Sequence, residues 1–265
     1  MFKFCICFQQ FISKKNLSTA DLEKLKPENV LSAENKSSCI DRLKLLNPMC
    51  FRLMPEVSSI EDLKKLNTKF KHKKSDDKKH KKAAVLVPLC EVDEKLGFLY
   101  QKRSKYLKKH VGQICFPGGM FDSSDKNLIE TAIRETWEEM RIPKEKIDVW
   151  GCSNPLPSRD VSVLPVLGYI GKINLYNDLL KNINSDEVDD VFFHSLEKLC
   201  DPSLFRYTQF RDRPVTLPVF HGNQNFDSYY YRRIWGLTAM MTHIVMFSLV
   251  PEVYKHNLPY IVPYT

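Results

Sequence analysis

No run of eighteen uninterrupted apolar residues occurs in the 265-residue chain, so a membrane-spanning helix is not expected. The longest approach, Ile234 to Val250, is interrupted by Thr242 and His243 and reads as a buried core helix. No Cys-x-x-Cys pair occurs among the eight cysteines, and no histidines are spaced around them as zinc ligands would be. Cys90 and Cys115 sit in apolar strand patterns, so the cysteines read as reduced thiols of an intracellular protein. Asp and Glu are missing from the first twenty residues, where Lys3, Lys14 and Lys15 stand beside Phe2, Phe4, Ile6, Phe8, Phe11 and Ile12. That composition is loosely like a mitochondrial presequence, although arginine is absent too. A poorly packed terminus is the other reading. The last residues, Val262-Pro263-Tyr264-Thr265, form no peroxisomal tripeptide. No internal repeat occurs.

What the chain does have is a net charge of +8, which suggests nucleic acid until it is located. Residues 1–82 hold 19 Lys+Arg against 10 Asp+Glu, and residues 83–265 hold 21 against 22. The excess is therefore N-terminal, and eight lysines fall between Lys69 and Lys82. A solvated linker is the first reading of this run, and an RNA- or membrane-surface patch is the second. No specific nucleic-acid partner is expected. Residues 1–82 are thus expected to be a targeting or accessory region ending in a Lys-rich linker. They carry short helical patterns at Ala20–Leu25 and Ile60–Leu66.

A compact domain is expected over residues 83–265. Ala83 to Leu89 is a buried-strand pattern, Glu91 to Gly97 a turn, and Phe98 to Arg103 the returning strand of a hairpin. Strand signals recur at Ile147–Trp150, Val161–Ile170 and Val188–Phe193. Helical patterns lie at about Asp125–Met140, Leu175–Ile183, Leu196–Leu199 and Trp235–Leu249. Strands on both sides of a central helix predict an α/β sandwich with a mixed sheet.

The central helix carries the chemistry. At about 100° per residue, Leu128, Ile129, Ala132, Ile133, Thr136, Trp137 and Met140 share one half of it, expected to pack on the sheet. Glu135, Glu138 and Glu139 gather on the flank. Three carboxylates at this spacing repel one another, and a divalent cation with oxygen ligands resolves the repulsion. Such an ion suits diphosphate hydrolysis, because it neutralises phosphate charge and acidifies a bound water. Arg134, four residues before Glu138, is placed to pair with it. Gly118-Gly119 lets the backbone turn tightly and approach a ligand. The bland reading, a solvated acidic helix face, loses ground once Phe116-Pro117-Gly118-Gly119, Asp122 and Asp125 are counted with the glutamates.

Together these residues resemble the Nudix hydrolase box: Gly, five residues, Glu, seven residues, then Arg-Glu-x-x-Glu-Glu. Here Asp125 fills the early Glu position, with eight residues before Arg134, and Arg141 stands where the box usually has Gly. An Arg in a left-handed cap costs about 1 kcal/mol, so the helix end is expected to differ locally. The extra residue resembles the coenzyme A pyrophosphatase branch. So does the approach Arg103-Ser104, Lys108, Gly112, Phe116-Pro117-Gly118-Gly119, with Lys108 in place of the usual Arg, and the later Trp235-Gly236-Leu237-Thr238-Ala239. The resemblance covers roughly residues 83–250.

It implies a Nudix-type α/β/α sandwich and Mg²⁺- or Mn²⁺-dependent cleavage of coenzyme A and CoA esters to 3′,5′-ADP and (acyl-)4′-phosphopantetheine. The implied catalytic residues are Arg134, Glu135, Glu138 and Glu139, with the three glutamates on the metal and Arg103, Lys108, Gly118 and Gly119 on the substrate. Lys109 is a weaker phosphate candidate, and Lys102 and Lys105 read as solvated. The base stays open among Glu138, Glu139, Glu187 and a metal-bound hydroxide. Trp235, His221 and Tyr229–Tyr231 are candidates for the adenine or pantetheine, against core packing or loop exposure; His110 reads as a loop residue. The alternatives are a broader hydrolase for NADH or ADP-ribose and a catalytically silent Nudix binding module. A mitochondrial location is expected, with peroxisomal or cytoplasmic ones as alternatives; oligomeric state is not readable.

Overall fold

The computed structural model describes residues 6–8, 17–45, 81–158, 160–209, 216–222 and 232–258. The expected helix at Ile60–Leu66, the lysine run from Lys69 to residue 80, most of the N-terminal segment and Tyr229–Tyr231 lie outside them.

The elements run in the order β1 (Ile6–Phe8), α1 (Thr19–Lys24), α2 (Pro27–Val30), α3 (Ala33–Leu45), β2 (Lys81–Val92), β3 (Lys95–Arg103), β4 (Ile114–Cys115), β5 (Gly118–Met120) and α4 (Leu128–Met140). There follow β6 (Asp148–Cys152), β7 (Leu156–Ser158), β8 (Val161–Lys172), a π-helical turn (Leu175–Leu180), β9 (Val188–Ser195), α5 (Leu196–Cys200), β10 (Phe205–Gln209), β11 (Thr216–Phe220) and α6 (Gly236–Leu249). The hairpin between β2 and β3 is tighter than expected. Asp93 and Glu94 alone turn the chain, both at positive φ, as a two-residue hairpin loop requires.

The main sheet is mixed. β2 pairs parallel with β8, while β3, β4, β5, β6, β7 and β9 join antiparallel. Alternation along β2 feeds two cores. Ala83, Val87 and Leu89 face α6 and α3, whereas Ala84, Leu86 and Cys90 face Ala132 and Met140 of α4. The sheet is therefore covered on both faces, as an α/β/α sandwich. A second sheet, in the order β1-β10-β11, lies beside it.

β2 and β3 do not stay paired. β2 bonds β3 over Leu89–Val92 and β5 over Ala83–Val85, while β3 goes on to β4 through Gln101 and Lys102. Pro88 lies between β2's two antiparallel partners. The Leu86 amide points to that side, to Pro117 O at 2.9 Å, and alternation turns the Pro88 nitrogen the same way, where no strand needs a donor. Where the two strands part, the end of β3 faces α4.

Residues 17–45 share the same core. Leu25, Val30, Cys39 and Leu43 are buried with Trp150, Leu249 and Val253.

Candidate active site

Helix α4 begins at Asn127, whose side-chain oxygen accepts from Ile129 N at 2.9 Å and Glu130 N at 3.0 Å. Asp125, expected as the first helical residue, lies before the cap and is buried. It receives Arg134 in a two-pronged contact, Nε to Oδ1 at 2.8 Å and Nη2 to Oδ2 at 3.0 Å. Thr131 Oγ1 donates to the same carboxylate at 2.8 Å. The Arg134 guanidinium holds Asp125 well below the usual carboxylate range. Arg134 Nη1 also donates to Glu135 Oε1 at 2.9 Å and Glu138 Oε2 at 3.0 Å. One guanidinium thus ties the loop before the helix to two of the three flank glutamates.

The third glutamate is different. Glu139 is 1% exposed and points at the sheet. Its Oε2 accepts from Gln101 Nε2 at 2.7 Å and Gly118 N at 2.9 Å. Its Oε1 takes no hydrogen bond among the described residues, and Arg103 Nη1 stands 3.6 Å from it. Burial pushes its pKa up to about 7, against the pull of those donors. Glu135 is raised as well, first by burial, with Glu138 and Glu187 adding repulsion.

This orientation corrects the expected helix face. Trp137 is 41% exposed rather than packed on the sheet, while Thr136 is buried as expected and Thr131 and Glu139 are buried beside it. Anchoring Glu139 to β3 and β5 rotates the helix toward its acidic edge. The helix end is also corrected. Arg141 does adopt the left-handed cap, at φ 58° and ψ 25°, with its N–H on Trp137 O.

Gly118 and Gly119 form strand β5 rather than a free turn. Gly118 has φ 154°, and a Cβ there would overlap the Ala84 carbonyl and Val85. At Gly119 a Cβ would overlap the Glu135 carboxylate. Arg103 ends β3 with its Nε buried and unpartnered. Lys102, expected as solvated, bonds Asp189 at 2.7 Å. Lys108 and Lys109 are exposed on the loop after β3, without an ion pair among the described residues. His110, at φ 56°, bonds Gln113 at 2.9 Å within that loop. Glu187 is half-buried; its carbonyl accepts from Ser104 N at 2.9 Å and its Oε1 from Asn184 Nδ2 at 3.4 Å. Asn184 N in turn donates to the Glu139 carbonyl at 3.0 Å, so the Glu187 loop is tied to the end of α4. His221 is buried, and Trp235 is the half-buried cap of α6.

As the side chains stand, no three Asp, Glu, His or Cys groups among the described residues converge on one metal position, since Glu135 and Glu138 turn onto Arg134. The donor chemistry nevertheless fits a hard divalent cation. Every candidate ligand is a carboxylate oxygen, and Glu139 Oε1 accepts no hydrogen bond among the described residues, with only Arg103 Nη1 standing 3.6 Å away. Gln101 escaped the sequence reading, although its alternation with Leu99 and Arg103 marks all three for the α4 face.

The NUDIX domain pattern matches residues 79–217. The chain belongs to the Nudix hydrolase family. Nudix hydrolase 3 of Caenorhabditis elegans is 35% identical to it over 194 residues, 69% of this chain and 80% of that protein. The mitochondrial coenzyme A diphosphatase NUDT8 of Mus musculus is 39% identical over 182 residues, covering 66% of this chain and 81% of that protein. The Homo sapiens protein of the same name is 37% identical over 182 residues, covering 66% and 72%. This Nudix hydrolase is an enzyme of the pyrophosphohydrolase type, which sets aside the silent binding module. Enzymes of the family generally use divalent metal ions. No helix among the described residues is long and apolar enough to cross a membrane.

Proposed function

We propose that this Nudix hydrolase cleaves the pyrophosphate bond of coenzyme A and CoA esters, with Mg²⁺ or Mn²⁺, giving 3′,5′-ADP and (acyl-)4′-phosphopantetheine. The observation that carries the substrate is the 39% identity to a protein named as a coenzyme A diphosphatase. The approach from Arg103 to Gly119 supports it, since it brings the cationic end of β3 up to the carboxylate helix. A mitochondrial location is part of the proposal, supported by the names of the same relatives.

Glu135, Glu138 and Glu139 would hold the cation, which when bound neutralises diphosphate charge and lowers the pKa of a water. Arg134 sets the rotamers of Glu135 and Glu138 and neutralises part of their mutual repulsion. Arg103, whose Nη1 stands 3.6 Å from Glu139 Oε1, presents a guanidinium beside the carboxylate flank that suits a phosphate oxygen. Lys108 adds an exposed cation for the outer phosphates. Glu187, on the loop fixed to α4 through Asn184, takes the proton of the attacking water.

Purified protein incubated with CoA and Mg²⁺ should release 3′,5′-ADP, read by chromatography. Cleavage of NADH or ADP-ribose with CoA left intact would overturn the assignment.

A further inference from the structure

Gln101 is fully buried near the end of β3, on the face that meets α4. A buried primary amide is stable only when its groups are partnered. Its Nε2 is partnered, by Glu139 Oε2 at 2.7 Å and Cys115 Sγ at 3.7 Å. Its Oε1 is buried without a partner among the described residues. The fold therefore tolerates an orphaned carbonyl, a group that typically costs about 1–3 kcal/mol to bury, in order to aim the amide N–H₂ at one carboxylate oxygen. Gly118 N aims at that same oxygen, at 2.9 Å. Both donors hold Oε2, and Oε1 is left toward Arg103 and the flank of the helix. A carboxylate with one saturated oxygen and one unbonded oxygen is set to give a single oxygen to a cation.

We propose that Gln101 is a positioning residue of this hydrolase, which with the Gly118 amide fixes Glu139 by Oε2 and presents Oε1 to the divalent ion. Gln101 itself touches neither metal nor substrate. The proposal rests on the reading of Glu139 as a metal ligand, and the test separates the two.

The readout is Mn²⁺ binding, by titration calorimetry and by the electron paramagnetic resonance signal of free Mn²⁺, without substrate. The proteins compared are the full chain, Gln101→Leu, Gln101→Met, Glu139→Gln and the Gln101→Leu/Glu139→Gln double variant. Either Gln101 variant should weaken Mn²⁺ binding about 10-fold or more, as loss of a partner behind a metal ligand typically does. Gln101→Met, closer in shape, serves if the Leu variant does not fold. The double variant should bind no more weakly than Glu139→Gln alone, because the effect passes through Glu139; a merely structural role would add to it. Wild-type Mn²⁺ affinity in the folded Gln101 variants, with Glu139→Gln impaired, overturns the role of Gln101. Additive loss in the double variant overturns it as well. Wild-type affinity in Glu139→Gln overturns the metal reading beneath it.

Discussion

Gly118 and Gly119 are adjacent, yet a methyl group added to each meets a different obstacle. At Gly118 it meets backbone, the Ala84 carbonyl and Val85, at a φ of 154° that side chains rarely adopt. Gly118→Ala should therefore cost stability, about 1–3 kcal/mol by urea denaturation. At Gly119 the methyl meets only the Glu135 carboxylate, the far end of a flexible side chain. Gly119→Ala should leave the urea midpoint nearly unchanged while turnover falls roughly 10- to 100-fold, because displacing the proposed ligand Glu135 would cost rate. Equal loss of stability in both would contradict this division. Arg141 shows what the sequence conveyed and what it did not. The missing glycine was legible as a left-handed penalty. Its compensation was not, because it depends on Trp137 being exposed: the guanidinium lies 5.8 Å above that ring, a contact typically worth about 0.5–1 kcal/mol at an exposed site. The spacing from Arg134 to Glu139 was readable as one cluster. That Glu139 turns inward to Gln101 required β3 and α4 to be in place.

Among the elements, α3 is held to the end of α6 by side chains that satisfy its last carbonyls. Arg42 Nε donates to Ser248 O at 2.6 Å, and Asn35 Nδ2 donates to Leu249 O at 3.2 Å. Terminal helix carbonyls otherwise lack partners. Arg42→Ala should lower stability by about 1.5–3 kcal/mol, the usual worth of a hydrogen bond from a charged group. Lys24→Ala, which removes an exposed pair with Glu252, should change the urea midpoint little. Elements with long apolar runs were legible: β2, β3, β8, β9 and α6. Strands β4, β5 and β7 were not, since two or three residues carry no period and depend on their neighbours. Helix α3 escaped for a different reason. Of its 13 residues only Cys39 and Leu43 are buried, too few for an apolar stripe. The buried face of α4 was misjudged because periodicity weighs Trp137 by hydrophobicity and is blind to the polar anchors of Glu139.

Across the whole molecule, four of the five histidines among the described residues are buried, and none of the four is an exposed switch. Burial pushes His194 and His243 down to about 3 and His221 and His256 down to about 4, from an ordinary 6.5. Their folded forms stay neutral where the unfolded chain takes up protons. Stability is therefore unaffected by them above pH 6.5 and falls as pH drops from 6.5 toward 4. Glu139, raised to about 7, acts oppositely between pH 7 and 4.5, but it is one group against four. The net loss from pH 6.5 to 5.5 should be roughly 2–4 kcal/mol, measured by denaturation at each pH, and a flat profile would contradict the buried neutral histidines. The mixed α/β architecture was readable at this scale because strands precede and follow one amphipathic helix. The splay of β2 from β3 was not, since it follows from pairings between distant segments. The candidate site lies at that splay, and the proposed chemistry rests on the carboxylate flank of α4. The most direct measurement is the turnover of CoA by Glu138→Gln beside the wild type, both in saturating Mg²⁺. Glu138 is half-exposed and, among the described residues, bonded only to Arg134, so the variant should keep its fold while turnover falls by about 100-fold or more. Turnover within about twofold of the wild type would contradict a catalytic centre on this helix.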